Sequence, residues 1–132
     1  MKAIDTNILI RFLTRDDERQ SQIVYKRFKQ AEIEKEILFI PLPVTIETIW
    51  VLESAYNETR KNIYEAFKDL LAMPILKFEK PEAIQGFILS AQESKIDLSD
   101  ILIAYSSKFS GCELVITFDK KASKHQLFEL IK

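Results

Sequence analysis

Short apolar segments alternate with longer amphipathic ones along most of this 132-residue chain. The clearest apolar segments span residues 37–40, 75–78 and 114–118, and they are rich in β-branched or aromatic side chains. Segments this short favour strands over helices, and strands that are apolar throughout are buried on both faces. The alternation therefore predicts an α/β protein in which helices cover both faces of a parallel sheet.

Helical periodicity and strand composition predict five strands and seven helices in one continuous domain, residues 1–132. We find no linker, repeat or low-complexity segment that would divide it. The predicted strands cover residues 2–4, 37–40, 75–78, 114–118 and 127–131. The predicted helices cover residues 8–14, a segment from 16 or 17, 44–56, 59–72, a segment from 81, 97–111 and a short one through 124.

Charge and cysteine content exclude several classes of protein. Nineteen basic residues accompany twenty acidic ones, and the net charge of −1 excludes broad electrostatic capture of polyanions. The one cysteine, Cys112, excludes an internal disulfide and a cysteine-rich zinc site, and we expect it to be a small buried hydrophobe. A reducing, cytoplasmic location is therefore expected.

Neither a membrane span nor a signal peptide is expected. The longest apolar stretch, residues 37–46, contains Pro41 and Pro43 and falls well short of the ~20 residues that span a bilayer. Asp5 interrupts the apolar start of the chain, which argues against a signal peptide. These features predict that the protein has no membrane partner.

Four acidic residues lie in apolar surroundings rather than on solvent-facing helices. Asp5 and Asp119 each follow a predicted strand, so both are expected at the carboxyl edge of the sheet, where parallel sheets bind ligands. Glu47 lies within a predicted helix, three residues before Trp50, and Asp100 shares a helical face with apolar residues. An ionised carboxylate on an apolar face is costly unless it is paired or bound to a metal.

Each acid also has a structural alternative. Asp5 fits an N-cap of the first helix, and Asp119 fits a cap of the short helix that follows it. Asp97 and Asp100 are spaced i and i+3, as in a capping box, so Asp97 is either a ligand or only a cap. Glu47 fits neither kind of cap, and its alternative is an ion pair with a buried Arg or Lys.

A shared pocket for three or four of these carboxylates implies a cation. Each close pair of carboxylates repels by about 4 kcal/mol at an effective dielectric constant of about 20. Oxygen ligands without Cys or His nearby suit Mg²⁺ or Mn²⁺ better than zinc. Such a site supports phosphodiester cleavage, because the metal activates water and neutralises charge on the phosphate. One ion and two ions are both compatible with these residues.

Four acidic motifs run through nearly the whole chain. They are Ile4-Asp5-Thr6-Asn7-Ile8-Leu9 with Arg11, Glu47 followed by Trp50-Val51-Leu52, Asp97-Leu98-Ser99-Asp100-Ile101-Leu102-Ile103-Ala104, and Thr117-Phe118-Asp119. Together they resemble the motifs of the PIN-domain nucleases, and specifically of the VapC-like toxins of bacterial and archaeal toxin–antitoxin pairs. Any one motif is weakly specific, whereas the four in this order are specific to that family.

The resemblance implies a three-layer α/β/α sandwich with a central parallel sheet, and the activity of a Mg²⁺- or Mn²⁺-dependent endoribonuclease toxin. It further implies a homodimer, inhibited by a cognate antitoxin whose tail enters the active-site groove. The metal-binding and catalytic residues that it implies are Asp5, Glu47, Asp100 and Asp119. The supporting residues are Thr6, Asn7, Asp97 and Thr117. Many members have a further acid and an aromatic residue after the last motif, where Lys120 and Lys121 stand here.

RNA binding by a chain of net charge −1 requires cations near the acids. Arg11 and Arg15 lie one helical turn apart after the first motif, and Lys120 and Lys121 follow the last, which makes these four the candidate RNA contacts. A solvated helix face is the alternative for each. The only histidine, His125, needs no catalytic role beside a metal site. The aromatic residues expected in the core are Phe12, Trp50 and Tyr105.

Two other functions are compatible with parts of this pattern. A phosphoacceptor domain of the receiver type also places acids around Mg²⁺, but it requires paired acids after the first strand, and Asp5 has no acidic neighbour. It also requires an Asp at the end of the third strand, where this chain has Phe78. A catalytically degenerate PIN-type module that only binds partners is the second alternative, and the intact acids argue against it.

Overall fold

The computed structural model describes residues 1–132 and contains five short strands connected by helices. The strands are β1 (Lys2–Ala3), β2 (Leu38–Ile40), β3 (Leu76–Phe78), β4 (Val115–Thr117) and β5 (Phe128–Leu130). The helices are α1 (Thr6–Thr14), α2 (Glu18–Glu34), α3 (Leu42–Ser54), α4 (Arg60–Leu71), α5 (Pro81–Glu93) and α6 (Leu98–Lys108), and one 3-10 turn (Ala122–Lys124) precedes β5. Every predicted element is present, and the ends differ from the prediction by a few residues.

The strands form two parallel pieces of sheet. β1, β2 and β3 pair in that order with β2 in the centre, and β4 pairs with β5. Backbone bonds extend the larger piece past the strand ends, because Ile4 N donates to Phe39 O and Glu79 N donates to Ile40 O, each at 2.9 Å. The prediction of an α/β fold with parallel strands is confirmed. The gap between the two pieces was not predicted.

β4 is more exposed than its composition predicts. Ile116 is 65% exposed, and Phe118, which follows the strand, is 83% exposed. The two side chains lie on the same face because side chains alternate along a strand. β4 pairs only with β5, so this face lies at the margin of the fold and stays in solvent. The prediction that every apolar strand is covered on both faces is wrong here.

One core of 26 buried residues lies between the larger sheet and the helices. Phe67 of α4 and Phe87 of α5 meet in it edge to face, with ring centroids 6.1 Å apart. Gly86 lets α5 and α6 approach closely, because a Cβ at this position would collide with the ring of Tyr105. This close packing fixes the position of α6 and of the acids at its start.

Two residues expected in the core lie at the surface. Trp50 is 62% exposed, and Cys112 is exposed after Gly111, whose φ is +96°. The residues of α3 are apolar around much of the helix, so periodicity did not identify its buried face, which includes Thr48 and Ile49 instead. None of the helices is long and apolar enough to cross a membrane.

Candidate active site

One cavity at the start of α6 contains three of the predicted acids. It has a volume of about 290 Å³ and is lined by Asp97, Asp100 and Asp119. Asp97 and Asp100 come from the N-terminal end of α6, and Asp119 comes from the loop after β4, at the strand end predicted for it. We call this the acidic cavity. Three basic residues also line it: Arg60, Lys95 and Lys121.

The surroundings of Asp100 disfavour its charge. Burial raises its pKa above the ordinary value, and the carboxylates of Asp97 and Asp119 raise the pKa further. Both effects disfavour the ionised form of Asp100. The first turn of α6 acts in the opposite direction, because a helix N-terminus stabilises negative charge. An added cation would relieve the repulsion among the three carboxylates, which Arg60, Lys95 and Lys121 also offset.

Asp97 is at the N-cap position of α6 but does not cap the helix. Its side chain accepts no hydrogen bond from the first turn. The capping-box alternative for Asp97 and Asp100 is therefore wrong. The carboxylate of Asp97 is exposed and remains available to a ligand in the acidic cavity.

Asp119 lies in a hydrogen-bonded turn that follows β4. Its backbone N donates to Thr117 Oγ1 at 3.0 Å, and its Oδ1 accepts from Lys121 N at 2.8 Å and from Ala122 N at 3.1 Å. Asp119 therefore caps the 3-10 turn, as its structural alternative predicts. Thr117 supports the backbone of Asp119 rather than its carboxylate.

Asp5 lies outside the acidic cavity and caps α1. Its Oδ1 accepts from Ile8 N at 3.2 Å, which explains why the helix begins before residue 8. Asp5 lines a different cavity of about 390 Å³, together with Arg27. Of the two predicted supporting residues beside Asp5, Thr6 is buried and Asn7 is exposed. The carboxylate of Asp5 is hydrogen-bonded to the helix backbone and not to the side chain of Thr6 or Asn7.

Glu47 is exposed, in a groove of about 530 Å³ between α3 and the start of α6. The groove is lined by Pro43, Ile46, Glu47, Trp50 and Ser99. The expectation that Glu47 lies against a buried apolar face is wrong, because solvent reaches both Glu47 and Trp50. Ser99 belongs to α6, so the groove brings Glu47 to the helix that carries Asp100.

The start of α3, which carries Glu47, is fixed by a residue from another element. Pro41 has no side chain that could cap the helix, and Pro43 lies in the first turn, where proline is tolerated. Glu79, just after β3, accepts a hydrogen bond from Leu42 N on its Oε1 at 2.8 Å. The sheet therefore sets the position of α3 through a side chain.

The four predicted ligands do not converge on one point. No group of three or more His, Cys, Asp or Glu side chains is arranged to hold a metal ion. Asp5 and Asp119 each have one carboxylate oxygen bound to helix backbone, and the charges in the acidic cavity repel one another. Donor chemistry and charge nevertheless fit a hard cation at Asp97, Asp100 and Asp119, whose ligand atoms are all oxygen.

Glu53 and Arg60 belong to the same region and were not predicted. Burial raises the pKa of Glu53 and the charge of Asp97 raises it further, while Arg60 lowers it. Glu53 lies four residues after the buried Ile49, and this helical spacing was the available signal. The contacts of Arg60 are long-range, and no local pattern could have revealed them.

Arg60 holds the connection that leads into α6. Its Nε donates to Ala91 O at 3.0 Å, its Nη2 to Ser94 O at 2.7 Å and its Nη1 to Ile96 O at 2.6 Å. One guanidinium thus binds one carbonyl in the last turn of α5 and two in the loop just before the acids. A cation is favourable there because the carbonyls at a helix C-terminus carry negative partial charge.

The PIN domain family model matches residues 2–126, a span that includes every acid described above. The chain belongs to the PIN domain family. It is 27% identical over 124 residues to a VapC ribonuclease of Aquifex aeolicus (strain VF5), and the alignment covers 94% of this chain and 91% of that relative. The predicted resemblance and the α/β sandwich are confirmed.

Two of the predicted RNA contacts of this PIN domain are engaged elsewhere. Arg11 donates to Asp16 Oδ1 at 3.0 Å through Nη1 and to Gln20 Oε1 at 2.6 Å through Nε. Arg15 stacks on the ring of Tyr25, with its guanidinium carbon 4.8 Å from the ring centroid. Neither arginine lines the acidic cavity.

The two lysines after Asp119 differ from each other in position. Lys121 lines the acidic cavity, whereas Lys120 is exposed and does not. Lys95, which was not predicted, lines the cavity from the loop before α6. The basic side of this PIN domain site is therefore formed by three segments, which carry Arg60, Lys95 and Lys121, and the sequence motifs indicated only the last.

His125 has a structural role in this PIN domain. Its Nδ1 accepts from Leu127 N at 3.1 Å, so the proton of the neutral ring is on Nε2, which lies 3.0 Å from Ser90 Oγ. The ring also packs edge to face against Tyr105 and Phe128. His125 thereby connects α5 and α6 to β5.

We expect His125 to make the fold less stable at acid pH. Burial lowers its pKa below the ordinary value of 6.5, so the unfolded chain binds the proton more tightly. Stability should fall as pH drops from 6.5 towards the lowered pKa, because the protonated Nδ1 would turn a donor towards Leu127 N. Urea unfolding at several pH values should show a shallower pH dependence for His125→Asn than for the wild type.

Ser90→Ala is the matched control for this measurement. It removes the partner of Nε2 but keeps the titrating ring, so it should lower stability while the pH dependence persists. An equal pH dependence in the wild type and in His125→Asn would contradict the prediction.

Proposed function

We propose that this PIN domain is a metal-dependent endoribonuclease and the toxin component of a toxin–antitoxin pair. The observation that carries the proposal is the placement of Asp97, Asp100 and Asp119 around one cavity that also contains Arg60 and Lys121. Carboxylates bind a cation and basic groups bind phosphate, and phosphodiester cleavage requires both. The similarity to a VapC ribonuclease supports the same substrate class.

Mg²⁺ or Mn²⁺ is the proposed cofactor. Asp100 is its principal proposed ligand, with Asp97 and Asp119 beside it in the acidic cavity. Asp5 and Glu47 remain proposed ligands on the strength of the family motif, although neither lines this cavity. When bound, the metal would activate water and neutralise charge on the phosphate.

The residues of the chain position the substrate and the acids. Lys121 lies where its ammonium group can bind a phosphate oxygen, and the bonds from Asp119 to the backbone of this turn hold it there. Arg60 fixes the loop before α6 and so the positions of Asp97 and Asp100. Asp100 is half-buried at this cavity, and this burial raises its pKa.

We further propose a homodimer and a cognate antitoxin partner, as the VapC resemblance implies. A dimer contact and an antitoxin contact would each need exposed apolar surface. This chain exposes Trp50 at the groove of Glu47, and it exposes Ile116 of β4 and Phe118 just after β4. Covering these side chains would remove apolar surface from water, which is the main favourable term in protein association.

The proposal predicts that RNA cleavage requires a divalent cation. Purified protein should cleave a pool of random-sequence single-stranded RNA with added Mg²⁺ or Mn²⁺ and lose this activity in excess EDTA. Activity should return when the chelator is removed and Mn²⁺ is restored, because the acids themselves are unchanged. Sequencing of the product ends would measure cleavage and reveal its position.

Two results would contradict this proposal. Cleavage that persists in EDTA would exclude a metal role. No cleavage of the pool, together with no Mn²⁺ binding by calorimetry at millimolar concentration, would favour the catalytically degenerate partner-binding module.

A further inference from the structure

A second cavity adjoins the acidic one, and basic residues outnumber acidic ones in its lining. Its volume is about 650 Å³, within the range of ~300–1,000 Å³ that is usual for ligand pockets. Lys95, Lys121 and Lys124 line it, and we call it the basic cavity. Lys95 and Lys121, together with Ile96, also line the acidic cavity, so the two cavities share a wall.

The lysines of the basic cavity form no ion pair within the protein. The two ion pairs of the structure involve other residues, and Glu93 is the one acid that lines this cavity against the three lysines. His125, which also lines it, adds no charge at neutral pH because burial lowers its pKa. Unpaired ammonium groups around one cavity create a positive potential that attracts anions.

The chain places a lysine next to an acid on each of the two segments. Lys95 lies two residues before Asp97, and Lys121 lies two residues after Asp119. The turn that carries Lys121 is held by two backbone hydrogen bonds to Asp119 Oδ1. On another side of the α6 N-terminus, the groove of Glu47 has no Lys or Arg in its lining. Basic side chains therefore line the surface from the acids to the basic cavity, whereas none line the groove of Glu47.

We infer that the basic cavity binds the RNA phosphate next to the one that is cleaved, so that the RNA chain leaves the acidic cavity past Lys95 and Lys121 towards Lys124. This inference rests on the proposed function. An acidic peptide also matches the charge of the basic cavity. RNA is favoured because the basic cavity and the acidic cavity share a wall, so one phosphodiester chain can run through both.

Binding can be measured without cleavage by using Asp100→Asn as the common background. A fluorescent pool of random-sequence single-stranded RNA is titrated by anisotropy at several salt concentrations. Lys95→Gln and Lys124→Gln should each weaken binding by about three- to ten-fold and reduce the slope of log K against log salt by about 0.7 for each lost contact. Both lysines are exposed and make no side-chain hydrogen bond, so neither substitution threatens the fold.

Lys29→Gln, on the exposed surface of α2, is the matched control and should leave both quantities unchanged. In the otherwise wild-type enzyme, the two cavity variants should raise KM more than they lower kcat, because phosphate contacts of this kind bind substrate and transition state alike. This readout separates loss of the binding site from loss of the fold.

The inference is overturned if Lys95→Gln and Lys124→Gln bind RNA as Lys29→Gln does while the wild type still cleaves RNA. In that case the proposed function stands and only the path of the RNA is wrong. It is also overturned if a polyglutamate peptide binds in a Lys95- and Lys124-dependent way and RNA does not, since the basic cavity is then a peptide site. Failure of the wild type to cleave any RNA would instead count against the proposed function.

Discussion

Asp100→Asn should lose RNA cleavage by at least about 100-fold, which is the upper end of the loss caused by removing groups that only support a ligand. The amide is nearly the same size as the carboxylate but carries no charge, so it binds Mg²⁺ or Mn²⁺ poorly. Asp100 shares the acidic cavity with Asp97 and Asp119, and the charges of both act on it. Initial rates on the random-sequence RNA pool at saturating Mn²⁺ would measure the loss.

The same substitution should not destabilise the metal-free protein. The pKa of Asp100 is raised by burial and by the charges of Asp97 and Asp119, so ionised Asp100 opposes folding. The contribution of Asp100 to the free energy of unfolding is most favourable below the ordinary pKa of an aspartate. It becomes less favourable as pH rises through the raised pKa. Above the raised pKa the wild type bears this cost, and Asp100→Asn, which cannot ionise, should be at least as stable in EDTA.

Added metal should reverse the order of the two proteins. A ligand that binds only the folded state stabilises it by RT ln(1 + [L]/Kd), or about 2.7 kcal/mol at 100 times Kd. Millimolar Mn²⁺ should therefore raise the Tm of the wild type and have little effect on Asp100→Asn. A variant that is less stable than the wild type in EDTA, or one that Mn²⁺ stabilises equally, would show that Asp100 is structural rather than a ligand.

The fold was predictable because local sequence determines most of its elements. Proline and capping positions mark several helix starts, such as Asp17 for α2 and Thr59 for α4, both of which accept the expected backbone bond. Apolar composition located all five strands. It did not reveal that β4 pairs only with β5, because pairing partners depend on the path of the whole chain.

The candidate site was predictable only in part. Asp119 could be placed at the carboxyl edge of the sheet because it follows a strand, but the same rule placed Asp5 beside it, and Asp5 lines a different cavity. The exposure of Glu47 and Trp50 could not be predicted, since α3 is apolar around most of its circumference. The role of Arg60 was also invisible, because its three acceptors lie more than 30 residues away along the chain.

Arg60→Ala should be the most destabilising substitution near the site. Hydrogen bonds to charged groups contribute about 1.5–3 kcal/mol each and are not additive, so we expect the free energy of unfolding to fall by about 3 kcal/mol. Three carbonyls between Ala91 and Ile96 would lose their donor at once. Urea unfolding at pH 7 would measure the loss as a lower midpoint without a change in slope.

Arg60→Lys distinguishes the geometry of the guanidinium from its charge. An ammonium group keeps the charge near Glu53 and Asp97 but cannot direct donors along three fixed directions. Stability should therefore recover only in part, and RNA cleavage should stay below the wild-type rate even under conditions where the variant is fully folded. The loop before α6 would no longer hold Asp97 and Asp100 in place.

Arg27→Ala provides the comparison, because Arg27 also makes a charged contact, to Glu36 at 2.7 Å, but with one partly exposed carboxylate instead of three backbone carbonyls. One ion pair that solvent partly reaches should contribute less to stability than three charged hydrogen bonds. If Arg27→Ala and Arg60→Ala lowered the urea midpoint equally, the three bonds from Arg60 to carbonyls would contribute no more to stability than the one ion pair of Arg27. If Arg60→Lys were as stable and as active as the wild type, the positive charge alone would account for the effect of Arg60 on stability and cleavage. The loop before α6 would then be held by its packing between α5 and α6.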